Sequence, residues 1–248
     1  MKTIGVLETG RPPEEISAYG SYADMVYRLL AGEAGGTNWQ RRNYAVLEGE
    51  LPESPTECDG WMITGSKYGV YDRLPWMEPL QAFIRAIQAC GRPLVGICFG
   101  HQIIAAALGG EVAKSDRGWG VGLHRYQLAP DRPAWLASPG ETLTINAFHQ
   151  DQVVTAPPEA RLIAHSDFCP HAGFLYGNTI LTLQGHPEFN TGYERELLKL
   201  RESVVVPEPV ARHALASLEV GDAGTDNATV HRWVETLMKG ETGAWNRA

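Results

Sequence analysis

Apolar and polar positions follow two periods along the first 110 residues. Thr3–Leu7 (TIGVL) is a short apolar run of the kind buried on both faces of a sheet. Tyr22, Met25, Val26, Leu29 and Leu30 recur at helical spacing, and Gly35 and Gly36 close that stretch. Asn43–Leu47 (NYAVL) and Gly60–Thr64 (GWMIT) read as further strands. Leu80, Phe83, Ile84 and Ile87 fall at i, i+3, i+4 and i+7, a helix that Gly91 stops. Strand Pro93–Ile97 follows, then a helix from Phe99 to Leu108 ended by Gly109 and Gly110. Strands alternating with helices predict right-handed βαβ units and a parallel sheet.

Beyond residue 110 the long helices stop. Segments 111–114, 121–129, 142–145, 152–154, 161–165, 173–176 and 179–185 read as strands, with a hairpin turn at Tyr176–Thr179 (YGNT). From 193 the helical period returns at Leu197, Leu198 and Leu200, then over Val210–Leu218. A last helix opened by Asp226 carries Val230, Trp233, Val234 and Leu237. Gly221–Asp226 (GDAGTD) is the most linker-like stretch. The pattern predicts an α/β fold: a doubly wound, mostly parallel sheet with added antiparallel strands and a helical C-terminal tail. One domain is expected over 1–190, with 191–248 a helical extension packed on it.

Composition narrows the classes. Apolar residues make up 44% of the 248, ordinary for a globular chain. A net charge of −8 gives no electrostatic reason to expect nucleic acid or a membrane surface as a partner. No apolar run reaches the ~18 residues of a membrane span, and the N-terminus lacks the apolar core of a signal peptide. A cytoplasmic protein is expected. The four cysteines (58, 90, 98, 169) form no CxxC pair, so neither disulfides nor structural zinc is expected.

The candidate chemistry centres on residues 93–102, PLVGICFGHQ. A cysteine alone reads as a small buried hydrophobe. Here Cys98 stands between Gly96 and Gly100 where a strand turns into a helix, the setting of a nucleophile elbow. The helix starting at Phe99 aims its positive end at the sulfur, which favours the attacking thiolate. A base is offered by LQGHPEF at 183–189. Pro187 biases His186 toward extended backbone, and in an extended chain i and i+2 share a side. Glu188 then reaches the ring nitrogen facing away from the thiol and orients the imidazole. Ile63–Asp72 (ITGSKYGVYD) leaves a strand into a glycine-bearing loop, where ligands bind in a doubly wound sheet. Backbone N–H groups there and at Phe99 suit a developing oxyanion. His101 sits on the elbow helix, and a structural role is expected of it. His165 and His171 lack metal-ligand spacing.

Together GICFGHQ, the downstream HPE and the upstream ITGSKYGVYD resemble the class I (triad-type) glutamine amidotransferase family, in particular free-standing members related to the glutaminase domain of GMP synthase. The resemblance spans about residues 3–190 and implies a flavodoxin-like fold. By position it implies Cys98 as nucleophile, His186 as base then acid, and Glu188 as its orienter. It implies backbone oxyanion donors at Ser66 and Phe99. Gly65, Gln102, Gly120 (in GWGVG, 118–122), His149, Gln150 and Asp151 (in HQDQ, 149–152) would wall a glutamine pocket. Where the family often shows Gly-Gly-Pro, this chain has Gly65, Ser66 and Lys67. The implied reaction releases glutamate and ammonia from glutamine through a γ-glutamyl thioester, with no cofactor or metal. The 60 residues after Glu188 are too few for a synthase domain, so an ammonia acceptor is expected on another chain. The same triad suits a hydrolase of γ-glutamyl peptides or conjugates. The rival from another class is a non-catalytic α/β binding protein.

Overall fold

A computed structural model describes residues 1–32 and 39–243. The expected helix stop at Gly35 and Gly36 lies outside the described residues. Strand β1 (Thr3–Leu7) pairs in parallel with β2 (Gln40–Tyr44) on one side and β3 (Gly60–Ile63) on the other. Helix α1 (Tyr22–Ala31) joins β1 to β2. A capping box starts it: the Asp24 N–H donates to the Ser21 hydroxyl at 3.1 Å, and the Ser21 N–H donates to the Asp24 carboxylate at 2.9 Å. Helix α2 (Met77–Cys90), strand β4 (Leu94–Ile97) and helix α3 (Phe99–Ala107) complete the alternating half.

Among the described residues the main sheet has nine strands in the order β2-β1-β3-β4-β11-β10-β9-β6-β7. The later members are β6 (Gly120–Leu128), β7 (Thr142–His149), β9 (Ala160–His165), β10 (Gly173–Tyr176) and β11 (Ile180–Leu183). β11 lies parallel to β4 and closes the parallel half, and β10 turns back on it through the expected Tyr176–Thr179 hairpin. The short strands β5 (Glu111–Lys114) and β8 (Asp151–Thr155) form a separate antiparallel pair beside α3.

Two layers cover the sheet. Ile4 and Val6 of β1 face a cluster with Leu30 of α1 and with Trp233 and Val234 of helix α6 (Asn227–Lys239). Leu7 faces the other way, into a cluster with Leu80 and Ile84 of α2 and Ile103 and Ile104 of α3. Burial on both faces explains why these strands read as unbroken apolar runs.

Two expectations are corrected. The strand placed at Asn43–Leu47 is shifted: β2 runs Gln40–Tyr44, and Val46–Glu48 form a 3-10 turn. As an edge strand, β2 needs only its backbone against β1, so its polar residues stay exposed and the apolar Val46 turns inward. The stretch Gly221–Asp226 is not a free linker. Asp222 accepts the Thr191 N–H at 2.6 Å and Asp226 accepts the Thr144 N–H at 2.7 Å, tying it to the N-terminus of helix α4 (Thr191–Arg201) and to β7. Helix α5 (Glu208–Ser217) lies against β6, where Gly122 leaves room for Ala214 and Ser217.

Candidate active site

Local backbone geometry forces the elbow at Cys98. Cys98 follows β4 with φ 53° and ψ −104°, a sparsely populated conformation for a residue with a Cβ. Such strain costs about 1–3 kcal/mol and persists only where the surroundings fix it. They do so on both sides: the Cys98 N–H donates to the Leu183 carbonyl at 2.8 Å, and the Gln102 N–H donates to the Cys98 carbonyl at 3.1 Å. The flanking glycines are there for space. A Cβ on Gly96 would lie 2.7 Å from the Gly100 backbone, and one on Gly100 would lie 2.5 Å from the Ile63 carbonyl. Cys98 is 5% exposed, and the Gln184 side-chain amide donates toward its sulfur at 3.7 Å.

His186 arrives three residues after the end of β11. Its N–H donates to the Asn146 carbonyl at 2.7 Å, bridging it to β7. Nδ1 meets a Glu188 carboxylate oxygen at 2.7 Å, and the Cys98 sulfur lies near enough to act on the ring. With Nδ1 taken, Nε2 is the nitrogen that serves the sulfur. The ring of Phe189 stacks on the imidazole, 4.1 Å between centroids and 7° between planes. Burial alone would pull the His186 pKa down; the Glu188 carboxylate and the Cys98 sulfur outweigh it and hold it well above the ordinary value.

The loop after β3 closes the site from above. Thr9 anchors its start, its hydroxyl donating to the Thr64 carbonyl at 2.8 Å while its N–H donates to the Thr64 hydroxyl at 3.0 Å. A Cβ on Gly65 would stand 3.0 Å from His186 Cε1 and 3.9 Å from Cys98 Cβ, so the loop backbone lies directly over the pair. Among the described residues, neither the Ser66 N–H nor the Phe99 N–H donates to a protein acceptor. Phe99 is the first residue of α3, where an N–H has no partner within the helix.

A cavity of about 530 Å³ opens over Cys98 and His186. Gly65, Ser66, Gln102, His149, Gln150 and Asp151 all line it. The Gln102 amide donates to the Asp151 carbonyl at 2.9 Å and to the Gln184 side-chain oxygen at 3.1 Å, which fixes the wall below. Burial brings the His149 pKa down to about 3, so its ring is neutral. Gly120 stands behind this wall: it pairs with His149 across β6 and β7, and its neighbour Trp119 lines the cavity instead. His101 points away, its Nδ1 on the Thr182 hydroxyl at 2.8 Å and its ring stacked on Phe174.

Several groups here were not singled out in the sequence. The Tyr71 hydroxyl donates to the Asp151 carboxylate at 2.9 Å, strapping the loop to β8 across the mouth. Tyr22, Phe189 and Leu197 form the wall beside His186, with Arg201 beyond them on α4. Glu194 is fully buried; one oxygen accepts the Gly122 N–H at 3.1 Å and the other has no hydrogen-bond partner among the described residues. Burial pushes its pKa up to about 8, against the pull of His186. Among the described residues no group of His, Cys, Asp or Glu has the geometry to hold a metal ion, and no helix is long and apolar enough to cross a membrane.

Comparison with known proteins places the chain in a family. The model of the family described as glutamine amidotransferase class-I matches residues 19–201. A γ-glutamyl peptidase 5 of Arabidopsis thaliana is 33% identical over 236 residues, covering 91% of this chain and 90% of the relative. A glutamine amidotransferase-like protein of Schizosaccharomyces pombe is 32% identical over 228 residues, covering 87% and 91%. The crystal structure of a glutamine amidotransferase from Thermotoga maritima has the same fold, with a TM-score of 0.73 at 19% identity over 96% of this chain and 99% of that one.

Proposed function

We propose, from the premise that this chain belongs to the glutamine amidotransferase class-I family, that Cys98 opens a γ-glutamyl carboxamide through a covalent thioester. The thiolate attacks the γ-carbonyl carbon, and the oxyanion that forms accepts hydrogen bonds from the Ser66 and Phe99 N–H groups. His186 gives its Nε2 proton to the departing nitrogen as the C–N bond breaks. Water, deprotonated by the same nitrogen, then attacks the thioester; glutamate leaves and the thiolate returns. Glu188 holds the ring in position and balances its charge in both halves.

With glutamine the departing group is ammonia, and this is the first reading. The ammonia would then pass to an acceptor synthase. One observation carries the proposal: His186 meets the Glu188 carboxylate at 2.7 Å and shares one cavity with Cys98, which sits at a strained elbow. A second reading, cleavage of γ-glutamyl peptides, is favoured by the cavity. At about 530 Å³ it falls in the range of pockets that hold drug-sized ligands, beyond what glutamine alone fills. We assign the chemistry to residues 1–190, with 191–248 an extension of the same domain that supplies part of the wall. We also assign it to the cytoplasm, where free thiols stay reduced.

The test is glutamate release from glutamine and from γ-glutamyl dipeptides by the purified protein and by Cys98→Ala. Loss of all release in the variant is expected; retained release refutes the thioester. A preference of ~10²-fold in kcat/KM for a dipeptide, roughly 2.7 kcal/mol, puts the peptidase reading first.

A further inference from the structure

Which side of the cavity receives the departing amine follows from the proton that it must accept. That proton sits on His186 Nε2, so the amine leaves along the wall beside His186. Phe189 stacks on the imidazole, Tyr22 lies against Phe189 with 5.9 Å between centroids, and Leu197 of α4 packs in the same cluster. Arg201 is one turn further along α4, on the same face as Leu197, and also lines the cavity. Tyr22, Cys98, His186 and Arg201 all line the one cavity, so the guanidinium and the triad open onto the same space.

Beside His186, four Lys and Arg side chains of the described residues line this cavity, and three have company. Arg11 pairs with Glu48, Lys114 acts on Asp151, and Lys67 stands over the Tyr68 ring at 5.3 Å. Arg201 has no ion pair or side-chain hydrogen bond among the described residues. Its charge does suit the C-terminal end of α4, but an exposed position would serve that as well as one in a cavity wall. Ammonia gives a cation here no purpose, since a positive charge near a newly protonated amine is repulsive. A leaving amine that carries a carboxylate reverses the sign, and Arg offers a carboxylate two donors in a fixed fork.

We propose that Arg201 is a specificity residue that binds the carboxylate of an amino-acid leaving group, whose side chain rests on the apolar wall of Tyr22, Phe189 and Leu197. The substrate class is then γ-glutamyl amides of apolar amino acids. This rests on the triad reading above and sharpens its second form. The chemistry balances as before: the γ-carbonyl C–N bond breaks, the S–C bond forms, and the His186 proton leaves on the amino acid's nitrogen.

The experiment compares γ-glutamyl-phenylalanine with γ-glutamyl-phenethylamide, which lacks only the carboxylate. The wild-type chain should prefer the dipeptide in kcat/KM by about 10- to 100-fold, the range of a charge-assisted hydrogen bond. Arg201→Gln should bring that ratio to near one, and Arg201→Lys should restore part of it. A general loss of activity cancels in the ratio. Calorimetric binding of the dipeptide to Cys98→Ala, with and without Arg201→Gln, reads the same contact without turnover, and a matching loss of affinity is expected. No wild-type preference, a preference that survives Arg201→Gln, or equal binding by the two Cys98→Ala proteins overturns the role of Arg201. Equal glutamate release by wild type and Cys98→Ala instead overturns the triad reading, and the binding comparison still decides Arg201.

Discussion

Glu194 is a buried acid that the fold keeps neutral, and replacing it with glutamine should stabilise the protein at neutral pH. Its folded pKa is about 8 against an ordinary value of 4.5, raised by burial. Below pH 4.5 the carboxyl is protonated in folded and unfolded chains alike, and it contributes no pH dependence. Between the two values the unfolded chain releases a proton that the folded chain keeps, so stability falls as pH rises, by about 1.4 kcal/mol per unit. Above about 8 both states are ionised and the loss is complete. At pH 7 the accumulated cost is on the order of 3 kcal/mol. Gln matches the neutral acid in shape and keeps an oxygen for the Gly122 N–H. Thermal unfolding of wild type and Glu194→Gln between about pH 4 and 9 isolates this group, because the other titrations largely cancel in the difference. The variant should equal wild type near pH 4 and gain with pH, reaching a Tm advantage of roughly 6 °C or more by pH 7. A flat difference would refute the reasoning. So would a variant that loses ground as pH rises, since Glu194 would then be an ionised, paired carboxylate.

The remaining expectations concern the site. Gly100→Ala sets a methyl 2.5 Å from the Ile63 carbonyl, so it should cost about 1–3 kcal/mol or more by denaturant unfolding and remove activity with it. Glu188→Gln should lower kcat by about 10²–10⁴-fold. Because the carboxylate raises the His186 pKa, its loss should also move the alkaline limb of the kcat/KM profile to lower pH. Tyr71→Phe breaks the strap to Asp151 at 2.9 Å and should raise KM several-fold with little change in melting temperature. A glutamine-like diazo-ketone should label Cys98 first; burial raises the Cys58 pKa and pushes that of Cys169 up to about 12, and peptide mapping with the label on either would contradict the assignment.

The parallel half of the fold, β2 apart, was legible because its strands are buried on both faces and its helices carry an apolar stripe. β2 was misplaced for the converse reason: Gln40, Arg41 and Arg42 are exposed on an edge, so their strand state comes from pairing with β1 and leaves no mark in hydropathy. The order β11-β10-β9-β6-β7 was likewise unreadable, because short antiparallel strands carry no signal of their neighbours. Cys98, His186 and Glu188 announced themselves through turn chemistry: glycines around the elbow, and a proline that sets His186 and Glu188 on one side. Tyr71, Gln184 and Arg201 carry no such local constraint. Each acts on a residue about 80 or more positions away in the chain, or on a cavity that only the folded sheet creates. Glu194 is the clearest case, since on a helix surface it reads as a solvated charge, and only its packing against Gly122 of β6 makes it a buried acid.

The central claim is that the reacting carbonyl is carried for a time on Cys98. Rapid acid quenching of the protein during turnover of glutamine or a γ-glutamyl dipeptide, followed by peptide mass mapping, reads this directly. A γ-glutamyl group on the peptide containing Cys98, absent in Cys98→Ser and discharged on longer incubation, is the expected result. Turnover at full rate with Cys98 unmodified at every time point would contradict the account.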